Sequence, residues 1–263
     1  MFDTISPGAD SAVTSLVTLL SVAHSIQGYL EEIRIKQSGS PVDNVLFALF
    51  DGEAFDYIGS TKTIYDMLND RFPVVKTNSS NLAQLKLNHI SHFIELNQLA
   101  IHDDASHSLW IHNHLQGNKP AISLTEILLK YSKKYKLSLN KIAQSAPLPP
   151  SSVQNFLRED KEIGGIVISN HEKQYTNKFY NSFLDDYDNI NRTENIADHL
   201  VKVVSVVTAS LFELLTGKPC DGAKEVNKGL ITDLLECYLN NAACDPFKYV
   251  TDPNKHFNQS MIN

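Results

Sequence analysis

The sequence predicts an α/β chain, a three-layer α/β/α sandwich formed as a single domain of 263 residues. Three observations predict it. Two continuous apolar runs, Val45 to Phe50 and Ile163 to Ser169, have the pattern of strands buried on both faces. Each run ends in a polar loop. Amphipathic stretches at helical spacing lie around them, so strands and helices alternate.

The elements follow in order. Val13, Leu16, Leu20, Ala23 and Ile26 repeat at helical spacing, so Ser11 to Ile35 reads as one long helix, broken by Gln37-Ser38-Gly39-Ser40-Pro41. After the Val45–Phe50 strand, a helix runs from about Ser60 to Asn69 and stops before Phe72-Pro73. Ile90 to Leu99 and Ser108 to His114 read as further strands. Ser123-Leu124-Thr125-Glu126 has the form of a capping box and starts a helix to about Tyr135. Ser151-Ser152-Val153-Gln154 is a second capping signal, opening a helix through Leu157 after the rigid connector Pro147-Leu148-Pro149-Pro150. Thr193 caps a helix of more than 20 residues, ended by Gly217-Lys218-Pro219. A final helix runs from Glu225 to about Asn240.

Composition narrows the function. Net charge is −7 and no Lys/Arg block is longer than Lys133-Lys134, which argues against nucleic acid or an anionic membrane surface as main partner. Met1-Phe2-Asp3-Thr4 is not the start of a signal peptide. Leu200 to Leu215, the most apolar stretch, is interrupted by Lys202 and Glu213 and is shorter than the roughly 20 residues of a spanning helix. These features alone describe a soluble cytosolic chain. Three glycosylation sequons, at Asn78, Asn191 and Asn258, point the other way. If Glu225 to Leu239 is helical, Cys220 and Cys237 stand roughly 25 Å apart, too far to bridge. Cys237 and Cys244 flank the helix end and can pair, leaving Cys220 free or bonded elsewhere; three reduced thiols are the other reading.

The loop Asp51-Gly52-Glu53-Ala54-Phe55-Asp56-Tyr57-Ile58-Gly59-Ser60 follows a predicted strand and precedes a helix. In open α/β sheets ligands bind at that edge. Glu53 can meet a ligand ammonium, or it can accept hydrogen bonds from backbone N–H groups and hold the turn. Gly59 marks a place where a β-carbon would obstruct the backbone, and Ser60 reads as an N-cap.

Gly52 to Ser60 resembles the Gly-Glu-Glu-x-Gly-Leu-x-Gly-Ser loop of co-catalytic zinc aminopeptidases. Asp56-Tyr57-Ile58-Gly59-Ser60 is similar to the signature of the nicastrin family, glycosylated γ-secretase subunits that share that peptidase fold. Ser6-Pro7-Gly8-Ala9-Asp10-Ser11-Ala12-Val13, Leu148 to Ser152 with Phe156-Leu157, and Asp188-Asn189-Ile190-Asn191 resemble further stretches of the same family, over roughly residues 6 to 216. The resemblance implies a mixed, mostly parallel central sheet. It implies a substrate-recognition loop of Glu53, Asp56, Tyr57, Ile58, Gly59 and Ser60. It also places the chain on the extracellular or lumenal side of γ-secretase, where it would recruit or sterically gate ectodomain-shed type I membrane-protein stubs. Presenilin, another subunit, would hold the cleaving aspartates. On this reading the chain is a fragment of a longer ectodomain, without the N-terminal lobe, lid and signal peptide and without the C-terminal membrane helix.

The peptidase chemistry does not carry over. A two-zinc site needs carboxylate and imidazole donors around metals about 3.5–4 Å apart. The resemblance puts Ala54 and Asn181 at two ligand positions, the second within Tyr180-Asn181-Ser182. A gapless reading puts Ser11 at a third, which Asp10 takes only with a one-residue shift. Methyl and neutral amide groups are poor zinc donors, so the expectation is a pseudo-peptidase with no cofactor. The alternative is an active zinc aminopeptidase with displaced ligands, and a third reading is an unrelated α/β domain.

Other candidates are weaker. His112 and His114 would share a strand face near His102, Asp103, Asp104 and His107, but the spacing fits no zinc signature. His171-Glu172-Lys173-Gln174-Tyr175 lacks the second His of a metallopeptidase helix. Asp185, Asp186 and Asp188 read as a solvated acidic turn.

Overall fold

The computed structural model describes residues 8–37, 43–75, 82–101, 108–113, 117–142, 146–190, 196–221 and 224–248. A π-helical turn, Ala9–Val13, runs into α1 (Thr14–Gln27) and α2 (Leu30–Gln37). Then come α3 (Ile58–Leu68), β1 (His92–Leu96), β2 (Leu109–His112), α4 (Lys119–Lys134), β3 (Leu139–Lys141), α5 (Val153–Glu159) and β4 (Gly164–Ser169). Helices α6 (Tyr187–Ile190), α7 (Ile196–Thr216), α8 (Lys228–Leu239) and α9 (Asp245–Lys248) complete the order.

The sheet has the order β1-β4-β2-β3. β1 pairs parallel with β4, with His92 opposite Gly164 and Leu96 opposite Ile168, and β2 pairs parallel with β3. β2 and β4 run antiparallel, with Ile111 opposite Ile168. The sheet is thus mixed and mostly parallel. Strand alternation feeds two cores. Ile166 and Ile168 face a large cluster with Leu124 and Leu128 of α4, Leu200 and Val204 of α7 and Val17 of α1. Val167 faces a smaller cluster on the other side, with Ile64 of α3 and Val153 and Phe156 of α5. The result is the expected three-layer arrangement. A β-carbon on Gly164 would lie 2.8 Å from Pro120 of α4, and one on Gly165 2.8 Å from Val153 of α5, so both helices pack directly on the β4 backbone.

Several expectations are corrected. Val45 to Phe50 forms no strand, and Leu46 and Leu49 are 58% and 67% exposed. A strand becomes buried on both faces only when neighbours and covering helices enclose it. Here Phe47 and Phe50 reach the cores and the rest of the run stays open. The first long helix is broken: α1 ends at Gly28, and the turn at Gly28-Tyr29 starts α2. α4 starts at Lys119, before Ser123, because Asn118 caps it (Ala121 N–H to Asn118 Oδ1, 2.7 Å) with proline in the first turn. β3 and the two short helices α6 and α9 were not expected.

Ala9–Gln27 and Ile196–Thr216 are each long and apolar enough to cross a membrane, yet half or more of each most apolar stretch is buried within the fold. α1 and α7 pack on one another in the large core, as central helices of a globular layer do. Cys237 and Cys244 are disulfide-bonded, with Cα atoms 5.4 Å apart, and Cys220 is free and buried. Asn78, Asn191, Asn258, Thr193, His102, Asp103, Asp104, His107 and His114 lie outside the described residues.

Candidate functional site

The loop from Asp51 to Ser60 is held from within by Glu53. Ser60 N–H donates to Glu53 Oε1 at 2.8 Å, and the Ser152 hydroxyl donates to Glu53 Oε2. Ser60 is therefore not the N-cap. It lies inside the first turn of α3, fully buried, and Glu53 supplies the acceptor that satisfies its amide. The residue before the helix is Tyr57, with φ of 59°, and Asp56 before it has φ of 60°. Two consecutive non-glycine residues in the left-handed region cost of order 1–3 kcal/mol each, so the turn persists only because its surroundings fix it.

Gly59 is part of that fixing. A β-carbon there would sit 2.4 Å from the Asp51 carbonyl oxygen and 2.7 Å from the Asp51 nitrogen. The start of α3 lies directly on the start of the loop, leaving no room for a side chain.

A second carboxylate stands beside the first. Glu95 in β1 accepts Ser152 N–H at 3.0 Å and Val153 N–H at 2.8 Å, capping α5 from the strand beneath it. Ser152 does not cap α5 with its own hydroxyl, which is turned to Glu53. Burial raises the Glu95 carboxyl to about 7, opposed by the two N–H donors and reinforced by the Glu53 charge. Glu95 was missed in the sequence, although a lone carboxylate within Phe93-Ile94-Glu95-Leu96 was the available signal.

Tyr57 turns its hydroxyl toward the same edge. Burial pushes its pKa up, with Tyr180, Glu95 and Glu53 adding to the effect. Tyr180 stacks on Tyr175 at 4.6 Å between centroids, and Tyr175 meets His171 edge-on at 4.6 Å. Phe55 and Ile58 of the loop itself are each 59% exposed. Buried polar atoms without hydrogen-bond partners also gather near the strand ends: both amide atoms of Gln98, Oδ1 of Asn170 and Oγ of Ser151. The edge thus offers two carboxyl groups, tyrosine hydroxyls and an apolar rim.

The expected metal-ligand positions do not form a metal site. Ala54 is exposed and ends in a methyl group. Asn181 is exposed, with φ of 57°. The Ser11 hydroxyl donates to Asp185 at 2.6 Å. Asp10 is fully buried and its oxygens accept Ala100 N–H (2.8 Å), Asn170 Nδ2 (2.8 Å) and the Thr14 hydroxyl (3.2 Å). Among the described residues, no three His, Cys, Asp or Glu side chains gather to hold a metal ion. The donor set does not fit zinc.

Asp185 is a further correction. It is 1% exposed rather than part of a solvated turn. Its carboxylate accepts Asp10 N–H (2.9 Å) and Ser11 N–H (3.0 Å), and its carbonyl accepts Ala9 N–H, so it caps the first helical turn across 175 residues.

Comparison with known proteins finds similar chains. The family model described as the nicastrin large lobe matches residues 1–212. Nicastrin from Mus musculus is 33% identical over 262 residues, covering 92% of this chain and 34% of the mouse protein. The chain therefore spans about a third of the length of that relative. The crystal structure of the γ-secretase component nicastrin superposes with a TM-score of 0.71 at 25% identity, covering 91% of this chain and 41% of that one. A zinc aminopeptidase from Bacillus subtilis superposes with a TM-score of 0.52 at 15% identity over 84% of this chain and 45% of its own, which shows a shared fold alone.

Proposed function

The chain belongs to the nicastrin family, and from that membership we propose that it serves as a non-catalytic part of a γ-secretase ectodomain. Its role is to recruit or sterically gate shed type I membrane-protein stubs on the extracellular or lumenal side, with presenilin and the other γ-secretase subunits as partners. Bond cleavage is left to presenilin.

One observation carries the reading. Both oxygens of Glu53, the residue at the general-base position of the related peptidases, are engaged in holding α3 and Ser152. A base tied into the fold, beside ligand positions filled by Ala54, Asn181 and Ser11, has no metal-bound water to activate. What remains is a rigid loop with carboxyl and tyrosine groups and an apolar rim. That surface suits the free amino terminus of a short polypeptide stub, with Glu53, Asp56 and Tyr57 presented by Ile58, Gly59 and Ser60.

The test has two arms. The chain is incubated with zinc and an aminoacyl chromogenic substrate, and no turnover above buffer is expected. Turnover that is lost with chelator and lost again in Glu53→Gln overturns the non-catalytic reading. In the second arm, binding of a stub-length peptide with a free amino terminus is measured by calorimetry against its N-acetylated form. Weaker binding of the acetylated form supports recognition at the loop, and equal binding removes it.

A further inference from the structure

His112 of β2 and His171 after β4 are 2% and 4% exposed, with ring centroids 5.5 Å apart. His112 Nε2 lies 2.9 Å from the carbonyl oxygen of His171 and 2.9 Å from the Ser169 hydroxyl. A carbonyl accepts only, so Nε2 carries the proton and Nδ1 keeps a bare lone pair. That Nδ1 is buried without a partner, and so is Nδ1 of His171. A proton added to His112 Nδ1 creates a charged donor with nothing to donate to, in a site closed to water.

The pair is connected to the recognition loop. His171 meets Tyr175 edge-on, Tyr175 stacks on Tyr180, and the hydroxyls of both lie within electrostatic reach of Tyr57. Tyr57 is one of the two left-handed residues whose strained turn depends on its surroundings. Ring contacts thus run from the histidines to Tyr180, and the last step to the loop is electrostatic, between the Tyr180 and Tyr57 hydroxyls.

We propose that His112 and His171 form an acid-sensitive latch, which holds the 171–184 segment against the Asp51–Ser60 loop while both rings are neutral and releases it when either is protonated. Its biological use rests on the recognition reading of that loop, although amide exchange reads the latch whether or not the loop binds a stub.

Burial outweighs the Glu172 charge, which raises His112. Among the described residues, exposed Glu172 is the charged group acting on His112, and His112 is the titratable group acting on His171. Ser169 carries no charge, and burial raises the Tyr175 hydroxyl, so Tyr175 is neutral at physiological pH. Glu53 and Glu95 act on Tyr57 at the far end of the path. Burial lowers both histidines, His171 to about 4. The closed state is therefore neutral, and an opened state with ordinary histidines takes up a proton below about 6.5. Opening grows about tenfold per pH unit for each proton taken up between about 6.5 and 4.

Hydrogen exchange on the full chain tests this. After correction for intrinsic rates, exchange at residues 55–60 and 172–184 is expected to accelerate by more than tenfold, and up to about a hundredfold, per pH unit from pH 6 to pH 4.5, since two histidines take up protons. In His171→Phe, which keeps a ring on Tyr175 and cannot be protonated, the slope is expected to fall markedly. A flat wild-type profile, or an unchanged slope in His171→Phe, overturns the latch. If that variant does not fold, the wild type is titrated by NMR with labelled imidazole and tyrosine rings. Tyr57 signals moving in step with His171 uphold the proposal. Tyr57 signals that stay fixed as His171 protonates, or a His171 that titrates at the ordinary value, overturn it.

Discussion

Glu53 and Ser152, 99 residues apart, are joined carboxylate to hydroxyl, and through this bond the loop before α3 is fastened to the start of α5. The other Glu53 oxygen holds Ser60 N–H. Glu53→Ala removes both acceptors and leaves a buried amide and hydroxyl unpaired, which costs about 1–3 kcal/mol each at most. The expected outcome is a loss of about 2–4 kcal/mol in urea unfolding. Glu53→Gln keeps an oxygen for Ser60, so its loss stays near 1 kcal/mol.

Gly59→Ala tests the close approach at Asp51. The new methyl would meet backbone atoms that cannot rotate away, and overpacking of this kind costs about 1–3 kcal/mol. A lower melting temperature with faster amide exchange at residues 55–60 is expected, while exchange in α7 stays slow.

Glu95 makes stability depend on pH. Its folded pKa, about 7, is raised above the ordinary carboxylate value, so the folded state binds more protons than the unfolded state between about 4.5 and 7. Its contribution is fully present below about 4.5 and is lost as pH rises to 7. The buried histidines act in the opposite sense, losing stability as pH falls from about 6.5 toward 4. Urea titrations of Glu95→Gln are expected to show a stability curve that rises more steeply with pH than that of the wild type.

Asp185→Ala strips four donors, Asp10 N–H, Ser11 N–H, the Ser11 hydroxyl and Asn177 Nδ2, of their acceptor. Loss of a buried cap carboxylate costs about 1–2 kcal/mol from the cap alone. Differential scanning calorimetry is expected to show a larger loss for Asp185→Ala than for Asp188→Ala, whose residue is exposed.

Leu46→Lys and Leu49→Lys probe the open run. Both side chains are mostly exposed, so stability is expected to change by less than about 0.5 kcal/mol. Self-association by analytical ultracentrifugation is expected to fall, because exposed apolar side chains offer a surface that another chain can cover.

The sequence was most legible where the determinants are local. Gly164 to Ile168 is apolar throughout and lies in a fully buried strand. Gly59 announced a close approach and makes one. Glu53 was readable as a turn holder because Ser60 is only seven residues away. Long-range partners were not legible. Nothing near Asp185 shows that it caps a helix 175 residues earlier, so it looked like part of a solvated turn. Glu95 is likewise defined by α5, 57 residues further on. Val45 to Phe50 failed for a related reason. An apolar run states that a segment can be covered, and coverage depends on what packs beside it.

The Asp10 and Asp185 clasp carries a consequence for how the chain is made. Asp10 is tied to Ala100 and Asn170, and its own amide is tied to Asp185. Synthesis proceeds from the amino terminus, and loop closure over such spans precedes any return from the contact. The first helical turn therefore leaves the ribosome long before its cap exists. It reaches its final place only after residue 185 has emerged, so a stalled chain ending short of that point carries α1 without its anchor.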